Sequence, residues 1–352
     1  MMEATGTWSE RTGPLGAVVV SSRVRLARNF RGFPFVRRAS EAQRREILNL
    51  AQVTLNSPGV TEGLEWVDLS RAPERRLRLL VERHLISAQH AEAKIHRAAA
   101  ISRDESLSIM VNEEDHLRMQ ALGAGLSLSS IYEQLNALDD RIDAHADFAF
   151  SERWGYLTAC PTNVGTGVRF SVMLHLPALK ITSEISRVQR AAKDLHLAVR
   201  GYYGEGSESA GDFYQISNQV TLGRSEREIL EEFEGKVIPQ LIDYELAARQ
   251  ILLERNALEL DDRIHRSIGV LSTARLMGIE EAMKLLSRVR LGVAMARVPG
   301  LSLPEVASLF LRVQPAHLQS GRAQALNPTE LRVARADLVR EALRGTGGEK
   351  RA

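Results

Sequence analysis

Strand signals in this 352-residue chain stop near Ser225, and this break constrains the fold more than any other feature. Before it, short apolar or alternating runs are separated by helix-like segments. "AVVV" (17–20), "GLEWVDL", "SLSIMVN", "VRFSVMLHL", "LAVRG" and "FYQISNQVTL" read as strands. "APERRLRLLVERHL", "LSLSSIYEQLNALDDRI" and "SEISRVQRAAKDL" read as helices. Ser40 with Gln43 predicts a capped helix over 41–54, and Ser225 with Glu228 predicts a second capped start. After Ser225, glycine is sparse and apolar residues recur at three- and four-residue spacing. The pattern predicts a strand-and-helix part over 1–246 and a helical domain over 247–352, joined by a long helix.

Composition narrows the function classes. A net charge of +2 argues against a polyanion-coated protein, and of the 46 basic residues six are lysine, so guanidinium groups dominate the positive surface. No apolar run approaches membrane-spanning length, and the polar start "MMEATGTWSERTGPLG" has no hydrophobic signal-peptide core. One cysteine permits no internal disulfide, which suits the cytoplasm. His84 and His116 have no partners at metal-ligand spacing, so a zinc site is not expected.

Four polar clusters stand beside the apolar strands: "SSRVRLARN" (21–29), "NEEDHLR" (112–118), "CPTNVGTGVR" (160–169) and "RGYYGEGSE" (200–208). Each alone is also what a solvated turn or a packed thiol looks like. Together they bring Arg23, Arg25, Arg118, Arg169 and Arg200 to strand ends or turns of separate segments. Five guanidinium groups converging on one pocket repel unless a polyanion fills it, and a nucleoside triphosphate with magnesium is the natural occupant. The chain lacks the G-x-x-x-x-G-K-[ST] loop and the H-R-D and D-F-G motifs, so arginines must replace a loop lysine. Glu113, Glu114 and Asp115 share one turn, and Glu205 sits between glycines. A guanidinium acceptor needs such carboxylates, because its attacking nitrogen must shed a proton held with a pKa above about 12. Cys160 as a thiolate would add negative charge beside that cation. Gly165 and Gly167 would let the chain turn so that Arg169 faces the phosphates.

In this order, the four clusters and the following "ISNQVTLGRSE" resemble the ATP:guanido phosphotransferases, the family of creatine and arginine kinases. The resemblance implies an α+β fold, an antiparallel sheet flanked by helices, followed here by an all-α C-terminal domain. It implies ATP and Mg²⁺, the metal held through phosphates and water. Ser21, Ser22, Arg23, Val24 and Arg25 would bind phosphate, with His84 near the adenine and ribose. Arg118, Arg169 and Arg200 would clamp the phosphates, with Phe170, Ser171, Val172, Met173, Gly201, Tyr202, Tyr203 and Gly204 in the same nucleotide-binding stretches. Glu114 would be the base, and Glu205 and Cys160 would orient the guanidine.

The first motif begins at residue 21, without the N-terminal helical domain of small-molecule phosphagen kinases, and a helical domain follows instead. This arrangement is most similar to the bacterial protein arginine kinases of the family. That branch implies arginine-containing protein substrates, a homodimer, a zinc-binding activator protein and an AAA+ unfoldase–protease that acts on marked proteins. Relatives there bind phosphoarginine allosterically through R-D-x-x-R-A. This chain has "LRVARA" (331–336), which keeps Arg335 and replaces the leading pair, so any such pocket would rest on Arg332, Arg335 and Arg340. An amphipathic helix with a basic face explains the same residues. A kinase of free arginine shares the same reacting centre. A non-catalytic adaptor or nucleic-acid-binding protein is the alternative of another class, although no nucleic-acid partner is expected.

Overall fold

The structure is a computed structural model that describes residues 11–61, 63–201 and 210–344. Its ten strands and twelve helices run in the order β1 (Val19–Arg28), α1 (Glu41–Leu55), β2 (Leu64–Asp68), α2 (Glu74–Glu82), α3 (Ala88–Glu92), β3 (Ala98–Ser102), β4 (Leu107–Val111), β5 (Leu117–Ala124) and α4 (Leu128–Asp143). A small hairpin, β6 (Phe150–Ser151) and β7 (Gly155–Tyr156), precedes β8 (Val168–His175), α5 (Pro177–Ile181), α6 (Ile185–Asp194), β9 (Leu197–Gly201) and β10 (Phe213–Asn218). Only helices follow among the described residues: α7 (Glu226–Glu232), α8 (Ile238–Thr273), α9 (Ile279–Ala294), α10 (Leu303–Arg312), α11 (Pro315–Gln319) and α12 (Pro328–Ala342). None of the described helices is long and apolar enough to cross a membrane.

Eight strands form one antiparallel sheet in the order β2-β3-β4-β5-β1-β8-β10-β9, with β1 near its middle. Side chains alternate along a strand, so β1 sorts its residues onto two faces. Val24 and Leu26 are fully buried on the face covered by α4, which offers Leu128, Ile131, Leu135, Leu138 and Ile142 at helical spacing. Burying each of these stabilises the fold by about 1.5–3 kcal/mol. The other face is covered by α2 and α3 at the β2–β4 end, through a smaller core that includes Leu77, Leu80, Ile101 and Met110. Near its middle the same face carries Ser21, Arg23 and Arg25.

Both predicted capping boxes are present: Ser40 with Gln43 starts α1, and Ser225 with Glu228 starts α7. One expectation needs correction. "SSRVRLAR" is not a polar segment after a short strand; it is the strand itself, running to Arg28. The helical part shares its core with the sheet. The division expected at 246 falls inside α8, upstream of the one non-helical residue in that helix, Asn256. One continuous hydrophobic core joins Val18 and Val24 to Ile268, Met283 and Leu343.

Polar contacts tie α8 and α9 to the elements before them. Glu245 of α8 accepts from the Ala178 and Leu179 N–H groups at the start of α5 and pairs with Arg249 at 2.8 Å. Arg249 and Arg290 of α9 both donate to the Ala17 carbonyl, just before β1.

The far end of β1 is fixed by Arg28. Its guanidinium meets Asp139 of α4 through both Nε and Nη2, at 2.5 Å for the closest contact, and lies over the Tyr156 ring at 3.5 Å. Glu226 stands 3.8 Å away. Gly167, at φ +67°, passes so close that a Cβ there would lie 2.6 Å from Arg28 Nη1. Replacing Arg28 by Met should leave buried Asp139 and half-buried Glu226 without their cation. We expect urea unfolding at pH 8 to show a loss of about 3–5 kcal/mol. Burial raises the Asp139 carboxyl, as does Glu226, against the lowering by Arg28. Without Arg28 the carboxyl takes up a proton as pH falls, so the loss should shrink toward acid. A variant as stable as wild type at pH 8 would remove this role.

Candidate active site

The register of the central strands builds the site. Arg25 stands directly opposite Arg169 of β8, and Arg23 opposite Ser171. Ser171 in turn faces Ser217 of β10, and Gln215 of β10 faces Arg200 of β9. Arg118, opposite Ala27, joins the same face from β5. Like charges opposite each other across strands are destabilising, so this face is held by other forces.

Neutral side chains aim two of the arginines: Arg23 donates to Gln215 Oε1 at 2.7 Å, and Arg169 Nη2 donates to Ser217 Oγ at 3.0 Å. Burial, then the charges of Arg118, Arg169 and Arg200, lowers the Arg23 guanidinium to about 9. Arg25 is driven well below its ordinary value by burial and by all four neighbouring arginines. Its Nε and Nη2 groups are buried and have no hydrogen-bond partner among the described residues. Unmet buried donors on a guanidinium ringed by guanidinium groups fit a multiply charged anion.

The β4–β5 turn supplies carboxylates. Arg118 pairs with Glu113 at 2.8 Å, and Ser87 donates to the other Glu113 oxygen at 2.6 Å. Burial raises the Glu113 carboxyl, but the Arg118 charge and hydrogen bonds from Ser87, Arg118 and the Glu114 N–H outweigh it and bring it to about 2. Glu114 differs. Burial, then the Asp115 and Glu113 charges, raises its pKa, and its carboxylate makes no hydrogen bond or ion pair among the described residues. A half-buried, raised and uncommitted carboxylate is suited to accept a proton.

Asp115 links this turn to the cysteine. It accepts from Asn29 Nδ2 at 2.7 Å and from the Ala159 N–H at 2.6 Å, one residue before Cys160. Asn29 also donates to the Leu157 carbonyl and accepts from the His116 N–H. Cys160 is half-buried, with Sγ 3.0 Å from Thr162 Oγ1 at the head of a short 3-10 turn. Gly165 and Gly167 both adopt positive φ, and a Cβ on Gly165 would lie 2.3 Å from the Thr221 carbonyl.

His84, itself at φ +60°, follows α2 and lines a cavity together with Ser21, Arg23, Ser171, Met173 and Gln215. Burial, then Arg23 and His317, lowers its imidazole to about 4, so it is neutral at pH 7.

The sequence-predicted residues therefore divide. Ser21, Arg23, Arg25, Arg118, Arg169, Ser171, Met173 and Arg200 share one face. Ser22, Val24, Phe170 and Val172 do not: they point to the opposite, buried face. Ser22 there donates to the Gly125 carbonyl and accepts from the Ser127 N–H. Gly201 ends β9, while Tyr202, Tyr203, Gly204 and Glu205 lie outside the described residues. Arg332 is exposed on α12. Arg335 is buried and donates to the carbonyls of Val313 and Met277, and Arg340 donates to Ala274. No group of three His, Cys, Asp or Glu side chains placed to hold a metal occurs among the described residues. Sequence reasoning missed Ser217 and Gln215, the residues that aim two arginines. Their alternation in "FYQISN" is visible, but their role needs the β8–β10 register.

Residues 46–248 match the ATP:guanido phosphotransferase, C-terminal catalytic domain, and residues 257–352 match the protein-arginine kinase McsB C-terminal domain. The chain belongs to the ATP:guanido phosphotransferase family. It is 45% identical to the protein-arginine kinase of Symbiobacterium thermophilum over 343 residues, 97% of each chain. It is 43% identical to that of Halothermothrix orenii over 336 residues, 96% of each. Among solved structures it resembles the duplicated taurocyamine kinase of Schistosoma mansoni with transition-state analogue components, with a TM-score of 0.61 and 28% identity over 67% of this chain and 34% of that one. Lombricine kinase matches with a TM-score of 0.56 and 27% identity over 69% of each.

Asp115 makes a separable contribution: it holds Ala159, and so Cys160, against the carboxylate turn. Asp115→Ala should lower kcat for guanidine phosphorylation by about tenfold to a hundredfold through misplacement, with the KM for MgATP changed less than about twofold. Steady-state kinetics check this. A larger change in the MgATP KM than in kcat would place Asp115 in nucleotide binding instead.

Proposed function

We propose that this enzyme is a protein-arginine kinase that transfers the γ-phosphoryl group of MgATP to a guanidine nitrogen of an arginine in a polypeptide. The observation that carries the reading is the β4–β5 turn. There Glu114, raised and uncommitted, is next in sequence to Glu113, which holds a cage arginine, Arg118. Donor and acceptor chemistry meet within a few residues. The named protein-arginine kinases above, similar over nearly the whole chain, support a protein acceptor.

The arginines then take the roles their positions favour. Arg25 meets phosphate oxygens with its unpartnered N–H groups, and Arg23, Arg118, Arg169 and Arg200 surround the rest. Fixed guanidinium groups stabilise charge on the transferring group without reorganising during the reaction. Magnesium, held through phosphate oxygens and water, supplies further charge neutralisation when bound. Glu114 accepts the proton from the attacking nitrogen. The N–P bond forms as the bond from the γ-phosphorus to the bridging oxygen breaks, and ADP leaves with that electron pair. Cys160, with Glu205, orients the acceptor guanidinium. In this reading the phosphoarginine product marks cytoplasmic proteins for an AAA+ unfoldase–protease in stress-linked quality control. A zinc-binding activator protein and a homodimeric state belong to the same proposal.

An assay with two acceptors tests the substrate. Given MgATP and either free L-arginine or unfolded casein, the protein should label casein and leave free arginine unmodified, as read by mass spectrometry under conditions that spare N–P bonds. Label on free arginine alone would make it a small-molecule guanidine kinase.

The base has its own signature. Because the Glu114 pKa is raised, kcat/KM should fall toward acid at a pH above the ordinary glutamate value of about 4.3. Glu114→Gln should lower kcat by about 10²–10⁴-fold while MgATP affinity stays within about twofold. Wild-type turnover in that variant would remove Glu114 from the role.

A further inference from the structure

The arginine face does not end at the phosphate cage. Beside it lies a cavity of about 110 Å³ between the sheet and the C-terminal helices. Its floor is Ser21 and Arg23 of β1, Ser171 and Met173 of β8, and Gln215 of β10, with neutral His84 at one side. Its opposite wall comes from α10, through Leu303, Ala307, Phe310 and Leu311. Arg23 belongs to both cavity and cage, so the two are continuous.

The helical wall also brings one polar group. Arg290 of α9 lines the cavity and is 3% exposed. Its Nη1 lies 2.8 Å from His175 Nδ1 and donates to the Ala17 carbonyl, and its Nη2 donates to the Gly16 carbonyl. Its Nε–H has no hydrogen-bond partner among the described residues. A buried donor left unmet is costly, and Arg290 is the charged residue among those that α9 and α10 give the cavity. A flat heteroaromatic ring with in-plane acceptor nitrogens suits that combination: faces against Phe310 and Met173, and an edge to Arg290.

We propose that the C-terminal helical region, through α10 and Arg290, builds the nucleobase end of the ATP site. This rests on the reading of the arginine cage as the triphosphate site. A nucleotide with its phosphates on Arg25 and Arg23 extends its base between the sheet and α10. The helical region is then part of the nucleotide site, and any event that shifts α10 against the sheet alters ATP affinity.

Calorimetry with the full-length protein and two probes, MgADP and magnesium tripolyphosphate, tests this. Ala307→Trp fills the cavity from its half-buried place on α10. It should weaken MgADP by about tenfold or more and change tripolyphosphate by less than about twofold. Unchanged MgADP affinity in the folded variant overturns the proposal. A wild-type protein that binds no tripolyphosphate overturns the cage reading instead, which separates the two failures. Should the tryptophan prevent folding, hydrogen exchange on the wild type decides. MgADP should slow exchange at the α10 amides and tripolyphosphate should not; equal effects of the two probes, or none, refute the assignment.

Discussion

Mutual repulsion among Arg23, Arg25, Arg118, Arg169 and Arg200 is the constraint around which the sheet is organised. β1 must bury Val24 and Leu26 against α4 while presenting two guanidinium groups on its reverse. Only a strand with both neighbours paired can hold such groups in register, and β1 lies between β5 and β8. The buried Arg28–Asp139 pair fixes one end of that strand, and donors from α8 and α9 fix the other. The cost of crowding like charges is met by packing elsewhere, and it leaves a surface already organised for an anion.

Three adjacent carboxylates show how the surroundings divide labour among similar groups. Glu113, paired with Arg118 and bonded by Ser87, stays ionised far into acid. Glu114, its neighbour, has no such partner and is raised. Asp115 is also raised by burial, but it is committed to Asn29 and the Ala159 N–H. One anchors an arginine, one can move a proton, and one holds the cysteine loop in place.

Much of this was legible in the sequence where a signal is local. Both capping boxes, the apolar stripe of α4 and the strand-to-helix change near Ser225 depend on neighbours within a few residues. The sequence pattern makes β1 too short because arginine normally marks solvent, and only the sheet shows that its polar residues line a face. β3 is not visible in the sequence because "AAAIS" carries little strand character without its neighbours. The arginine motif was legible as a set, but a contiguous motif overstates the site. Alternation sends Ser22, Val24, Phe170 and Val172 into the core. Gln215, Ser217 and Arg290 act through register and packing between distant segments, which spacing along the chain does not encode.

The hold that Arg249 and Arg290 keep on the Ala17 carbonyl bears on modularity. A domain joined by a linker can be exchanged between relatives as a unit. Here, removing residues 257–352 takes away Arg290, one of the two donors that fix the entry to the central strand, and strips one wall from a shared core. The partition into two matched segments, 46–248 and 257–352, is therefore not a line along which the molecule comes apart. Chimeras that swap the halves would have to inherit both sides of this seam together.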